Sequence, residues 1–119
     1  MWIMVAGPYR GGSPDVELWA SNLRRLNESA LALHRAGHVP VIGVNMALPV
    51  IEAAGGERAY TEIMMPMSLA LSDRCDACLR VGGASRGADE EVARFVASGR
   101  PVFWALSDVP PACVEPLRP

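Results

Sequence analysis

The chain has no lysine; all eleven basic residues among its 119 are arginine. Without an ε-amino group it can form no Schiff base with a carbonyl, and it has no P-loop lysine to reach nucleotide phosphates. Positive charge is scarce overall, since 13 acidic residues leave a formal net charge of −2. A nucleic-acid polymer finds no basic stripe here and is excluded as an expected partner. Cysteine is rare too: Cys75, Cys78 and Cys113 are the full set. An odd number, in a chain long enough to build its own core, argues for a reducing compartment, hence the cytoplasm. Cys75 and Cys78 form a lone C-x-x-C without a second ligand pair, so structural thiols are expected, with no metal and no cofactor. Long hydrophobic runs are also missing. None reaches the roughly 18 residues of a membrane span, so no membrane partner is expected. Residues 1–6 lack the basic flank of a signal peptide and run straight into Gly7-Pro8, which reads as a strand and its turn.

What is present is half hydrophobic and one fifth charged, enough apolar material for one folded domain. The continuous apolar run 2–6 predicts a buried central strand. Ser13 to Ala36 predicts a long helix, with Ser13 as cap, Pro14 at the first helical position and Asp15 and Glu17 in the first turn. Its apolar face is Val16, Trp19, Leu23, Leu26, Ala30 and Leu33, and Gly37 ends it. Residues 38–43 predict a second strand, placed at an edge because Pro40 has no N–H for the ladder. Residues 44–56 show no clear period and read as a loop with a helical turn. Residues 57–73 predict a helix with Tyr60, Ile63, Met64, Met67 and Leu71 on one side, kinked or split at Pro66. A strand over 76–82, a helix over 88–98 stopped by Gly99, and a strand over 101–106 follow.

Strands alternating with helices predict an α/β fold, a Rossmann-like three-layer α/β/α arrangement on a small parallel sheet of four to five strands. The domain is expected over 1–107. Residues 108–119, with four prolines in twelve positions, form a C-terminal tail expected to be extended and partner-facing or loose. In such folds ligands bind beyond the carboxyl ends of the strands.

Two of the loops expected there hold the informative residues. After the first strand comes Ala6-Gly7-Pro8-Tyr9-Arg10-Gly11-Gly12. Glycine lets backbone approach a ligand, tyrosine can stack or donate, and arginine can fork onto phosphate or carboxylate. It lacks the dinucleotide fingerprint and also suits a plain turn. After the third strand comes Gly82-Gly83-Ala84-Ser85-Arg86-Gly87-Ala88-Asp89-Glu90-Glu91. Backbone N–H groups at a helix N-terminus favour an anion, and Ser85 adds a hydroxyl. Glu91, four before Phe95, borders the buried side of the predicted helix. The helix dipole is expected to keep its carboxylate ionised near neutral pH. The three acids also suit a plain surface charge cluster.

Three blocks resemble the nucleoside 2-deoxyribosyltransferase superfamily, most closely its 2′-deoxynucleoside 5′-phosphate N-glycosidase branch. They are residues 6–12, Asp76 opening an apolar strand, and Ser85-x-Gly87-x-x-x-Glu91 followed by Gly99-Arg100-Pro101-Val102. The resemblance spans most of residues 1–106. It implies an N-glycosidase or deoxyribosyltransferase acting on a nucleoside or its 5′-monophosphate. Glu91 would be the nucleophile at C1′, with Tyr9 beside the sugar and Ser85 and Arg10 on the 5′-phosphate. Gly7, Gly11, Gly87, Asn45, Asp89 and Arg86 are further candidate ligand contacts.

One position departs from the pattern. The family's middle-helix aspartate, eight residues before the strand aspartate, falls on Ser68, which cannot act as a carboxylic acid. Glu62 may substitute for it, the base may leave unprotonated, or the site may be a non-catalytic nucleotide-binding module. The methionine-rich helix carries apolar residues on more than one stripe. This predicts, as the resemblance also implies, a homodimer or higher homo-oligomer built on residues 57–73 with part of the first helix.

Overall fold

A computed structural model describes residues 1–112. Cys113 and the rest of the proline-rich tail lie outside the described residues. Strand β1, Trp2–Ala6, is buried from Ile3 onward and sits inside the sheet, as its unbroken apolar run predicts. It pairs in parallel with β2, Val39–Val41, on one side and with β3, Ala77–Arg80, on the other. Strand β4, Val102–Phe103, lies outside β3, so the order is β2-β1-β3-β4 and every pairing is parallel.

Side-chain alternation along the strands divides the core. Ile3, Val5, Ala77 and Leu79 cluster with Leu26 and Leu33 of helix α1, Val16–Arg35. Met4, Ala6 and Cys78 cluster with Ala88, Val92 and Phe95 of helix α4, Arg86–Ala97. The parallel sheet is thus covered by helices on both faces, a Rossmann-like three-layer α/β fold. Each fully buried side chain of this size contributes roughly 1.5–3 kcal/mol. No helix among the described residues is long and apolar enough to cross a membrane.

The edge position of β2 follows from Pro40. Val39 donates to the Met1 carbonyl at 2.9 Å, so the next residue points its ladder groups away from β1. The residue at that place is proline, and the free edge shows a carbonyl without an N–H.

Helix α1 differs from expectation at its start. Asp15 is the cap, accepting from the Glu17 N–H at 3.0 Å, while Ser13 accepts from the Asp15 N–H at 3.1 Å. Pro14 therefore precedes the helix. Val16 is 63% exposed, and Trp19 joins neither core cluster. Length explains this. Twenty helical residues span about 30 Å and the five of β1 about 17 Å, so the first turns of α1 overhang the sheet.

The segment expected to be a loop is instead helix α2, Gly43–Ala53. Val44, Ala47 and Ile51 are its buried stripe, at helical spacing. Gly43 and Pro49 hid that period, because both are poor helix residues. A single 3₁₀ turn, Glu57–Ala59, leads into α3, Tyr60–Ser72, which passes through Pro66 unbroken. The α2–α3 contact is the most extensive in the molecule. A Cβ on Gly43 would overlap the Ser68 hydroxyl, so glycine is required for the two helices to meet. This packing also covers apolar surface of α3 that the sequence reading left for a second copy of the chain.

Beyond β4, Val109 packs on the core, and His38 Nε2 donates to the Pro110 carbonyl at 2.7 Å. Ala112 N–H donates to the Ala36 carbonyl at 3.0 Å. The first residues of the proline-rich segment are therefore docked onto the domain.

Candidate functional site

The crossovers leave β1 in opposite directions, to β2 on one side and β3 on the other. The loops leaving β1 and β3 diverge at this point, and a cavity of about 610 Å³ opens between them. Gly7, Tyr9, Arg10, Gly11 and Gly12 line it from the β1 loop; Ala84, Ser85, Arg86, Gly87, Ala88 and Glu91 line it from the β3 loop and α4. Val44, Tyr60, Met64, Met65 and Ser68 complete the wall from α2 and α3. Gly7 has a packing reason: a Cβ there would lie 2.7 Å from the Val81 carbonyl oxygen and 2.9 Å from Leu26. The two loops approach this closely only because the side chain is missing.

Glu91 is 7% exposed, and among the described residues it is the only carboxyl that lines the cavity. Burial pushes its pKa up to about 7; the nearby Glu90 charge adds to the rise and Arg80 opposes it. The sequence reading expected an ordinary ionised carboxylate held by the helix dipole. The difference comes from where α4 begins. Its cap is Ser85, whose Oγ accepts from the Ala88 N–H at 3.1 Å. The helix starts two residues earlier than 88, and Glu91 falls in the second turn, beyond the reach of the dipole. Burial then dominates.

Ser85 caps α4 at the mouth of the cavity, where the first N–H groups of the helix have no intrahelical acceptor. Arg80, absent from the sequence reading, braces the adjoining loop. It is buried at the end of β3 and donates to the Val81 carbonyl and, at 2.7 Å, to the Gly83 carbonyl. An arginine closing an otherwise apolar strand was the signal for it.

Arg10 is positioned by aromatic rings. Its guanidinium carbon lies 4.1 Å from the Trp19 ring centroid and 3.6 Å from that of Tyr60. Trp19 is anchored by its indole N–H on the Ser13 carbonyl at 2.7 Å and lies beside Tyr9, centroids 6.2 Å apart. The overhanging turns of α1 thus build a support for Arg10, a role the periodicity did not show. Both terminal nitrogens of Arg10 engage Glu57, and its Nε is buried without a partner. The ion pair raises the Arg10 pKa and lowers that of Glu57.

No protein-family model matches the chain, and no curated protein is significantly similar to it.

Two candidate residues lie elsewhere. Asn45 does not line this cavity; its amide donates to Asn27 Oδ1 at 2.7 Å beside a separate groove on the β2 edge. It sits on the first turn of α2, where the sequence reading had a flexible loop. Asp89 is exposed and 3.8 Å from Arg80. Glu62 also lies outside the cavity lining. Asp76 is at the amino end of the sheet, where it accepts from the Trp2 N–H at 2.8 Å and fastens β3 to β1. Arg100 has an architectural place, donating to the Ser72 and Cys75 carbonyls at 2.6 and 2.7 Å and stacking on Phe95. Cys75 and Cys78 are free and buried. Burial raises their thiols to about 11 and about 12, which leaves almost no thiolate for chemistry.

Proposed function

We propose that the cavity binds a nucleoside or nucleoside 5′-monophosphate and cleaves its N-glycosidic bond through Glu91. The observation that carries this reading is a buried carboxyl facing a cavity large enough for such a ligand, opposite a helix N-terminus suited to an anion. The resemblance of residues 6–12 and 85–91 to deoxynucleotide N-glycosidases supports the same assignment.

In the proposed mechanism the ligand phosphate meets the free N–H groups of Arg86 and Gly87 and the Ser85 O–H. Arg10 joins by exchanging Glu57 for the phosphate. The sugar lies between Tyr9 and Glu91. Ionised Glu91 attacks C1′, the base departs with the electrons of the C–N bond, and water or a second base resolves the glycosyl ester. Homo-oligomerisation rests on the resemblance alone, because α2 covers the surface of α3 that pointed to it; light scattering at micromolar concentration reads it directly.

The test is incubation with a panel of nucleosides and their 5′-monophosphates, followed by chromatography for free base. Release that is lost in Glu91→Gln supports the reading. A second reading, a non-catalytic nucleotide-binding module, is favoured by Ser68, which puts a hydroxyl where a second carboxylate is expected. Tight binding of a monophosphate without base release would select it.

A further inference from the structure

We propose that the substrates of this cleft are N-glycosides whose departing ring is already positively charged, such as N-alkylated purine or pyridinium nucleotides. The inference rests on the N-glycosidase reading and narrows its substrate class.

A neutral nucleobase expelled from C1′ leaves as an anion unless an acid protonates it. Among the described residues, the only carboxyl lining the cavity is Glu91, and the attack uses it. The other acids are placed elsewhere. Glu57 is held by Arg10, Asp89 faces Arg80 with its side chain 75% exposed, and Asp76 is bound to the Trp2 N–H at the opposite end of the sheet. Ser68 is 3% exposed and its hydroxyl fills the space opposite Gly43. The remaining O–H groups are the phenols of Tyr9 and Tyr60, far weaker acids than a carboxyl. Tyr60 is weaker still, because burial holds it above the usual phenol range.

A cationic ring removes the need for an acid. Glu91 forms the C1′–O bond as the C1′–N bond breaks, and the bonding pair neutralises the ring, which leaves uncharged. Water then attacks C1′, the ester C–O bond breaks back to the Glu91 carboxylate, and one proton goes to solvent. The rest of the wall agrees. Val44, Met64 and Met65 are apolar, and methionine sulfur is polarizable enough to lie against a charged aromatic ring. The Glu91 carboxylate is the one anion lining the cavity to attract it.

The experiment measures base release from 7-methylguanosine 5′-monophosphate and nicotinamide mononucleotide against guanosine 5′-monophosphate. Each rate is divided by its spontaneous rate under the same conditions. A general acid typically contributes about 10²–10⁴-fold, so the two cationic nucleotides are expected to show at least about 100-fold greater enhancement. Equal enhancement for guanosine 5′-monophosphate overturns the substrate class and leaves the N-glycosidase reading in place. No release from any of the three, or release unchanged in Glu91→Gln, overturns both.

Discussion

Arg10 and Glu57 form a two-pronged ion pair, 3.0 Å between Nη2 and Oε2, with the guanidinium clasped between two aromatic rings. The arginine is ordered by those rings whether or not the carboxylate stays. Glu57 follows Gly55 and Gly56, both at positive φ, and its side chain is 73% exposed. The pair joins a fixed cation to a carboxylate that solvent already reaches.

Glu57→Gln therefore weakens a competitor for Arg10 and is expected to tighten the binding of nucleoside 5′-monophosphates while leaving nucleosides unchanged. Arg10→Ala removes a charge-assisted contact and is expected to weaken monophosphates by about 10- to 100-fold, again sparing nucleosides. Calorimetric titration with each ligand pair reads both effects. Equal losses for nucleosides and monophosphates in Arg10→Ala would remove Arg10 from the phosphate site.

Turnover should depend on the ionisation of Glu91. With its pKa near 7, kcat/KM is expected to rise about tenfold per pH unit below that value and to level off above it. An ordinary carboxylate would already be fully ionised at pH 6. A rate that is flat between pH 5.5 and pH 8 would exclude Glu91 as the nucleophile; these pH values are about those bracketing its shifted range.

The same group makes stability fall with pH. Its native-state pKa is raised from 4.5 to about 7, so between those values the folded chain holds a proton that the unfolded chain releases. The stabilisation is full below 4.5 and is lost as pH rises through 7. A tenfold difference in proton affinity is worth about 1.4 kcal/mol, so the total is roughly 3 kcal/mol. Glu91→Gln should match wild type at low pH and exceed it in urea denaturation at about pH 8, while Glu90→Gln, on the exposed side, should be nearly silent.

Ser85→Ala removes the cap of α4 and is expected to cost about 1 kcal/mol of stability. It should also weaken monophosphate binding, because the same residue borders the cavity. Thermal denaturation and ligand titration separate the two effects.

Gly43→Ala places a methyl group against Ser68, on the tightest contact between α2 and α3. Overpacking of this kind costs typically about 1–3 kcal/mol. The midpoint of urea unfolding should fall with little change in slope.

The sequence made the sheet legible because its signals are local. The apolar run 2–6 could only be an inner strand, and Pro40 marked the edge. The loops lining the cavity were legible for the same reason, since each follows a strand directly. What was hidden depends on packing between segments distant in sequence. Helix α2 was obscured by Gly43 and Pro49, and its stripe of Val44, Ala47 and Ile51 has meaning only against α3. The pairing of Arg10 with Glu57 spans 47 positions. The raised pKa of Glu91 required knowing that α4 begins at Arg86, because a shift of two residues separates a dipole-stabilised carboxylate from a buried one.

The proline in β2 also bears on how copies of the chain can meet. An exposed strand normally offers a template on which another chain can grow, and a prolyl rim lacks the donor needed to start it. The opposite border is no better a template, because β4 is only two residues long. Trp2, Val39 and Trp104 leave apolar surface in water near these borders. Two molecules can adhere through such side chains, but the backbone gives them no continuous ladder to extend, so self-association through this sheet should stop at small clusters and not propagate into fibres.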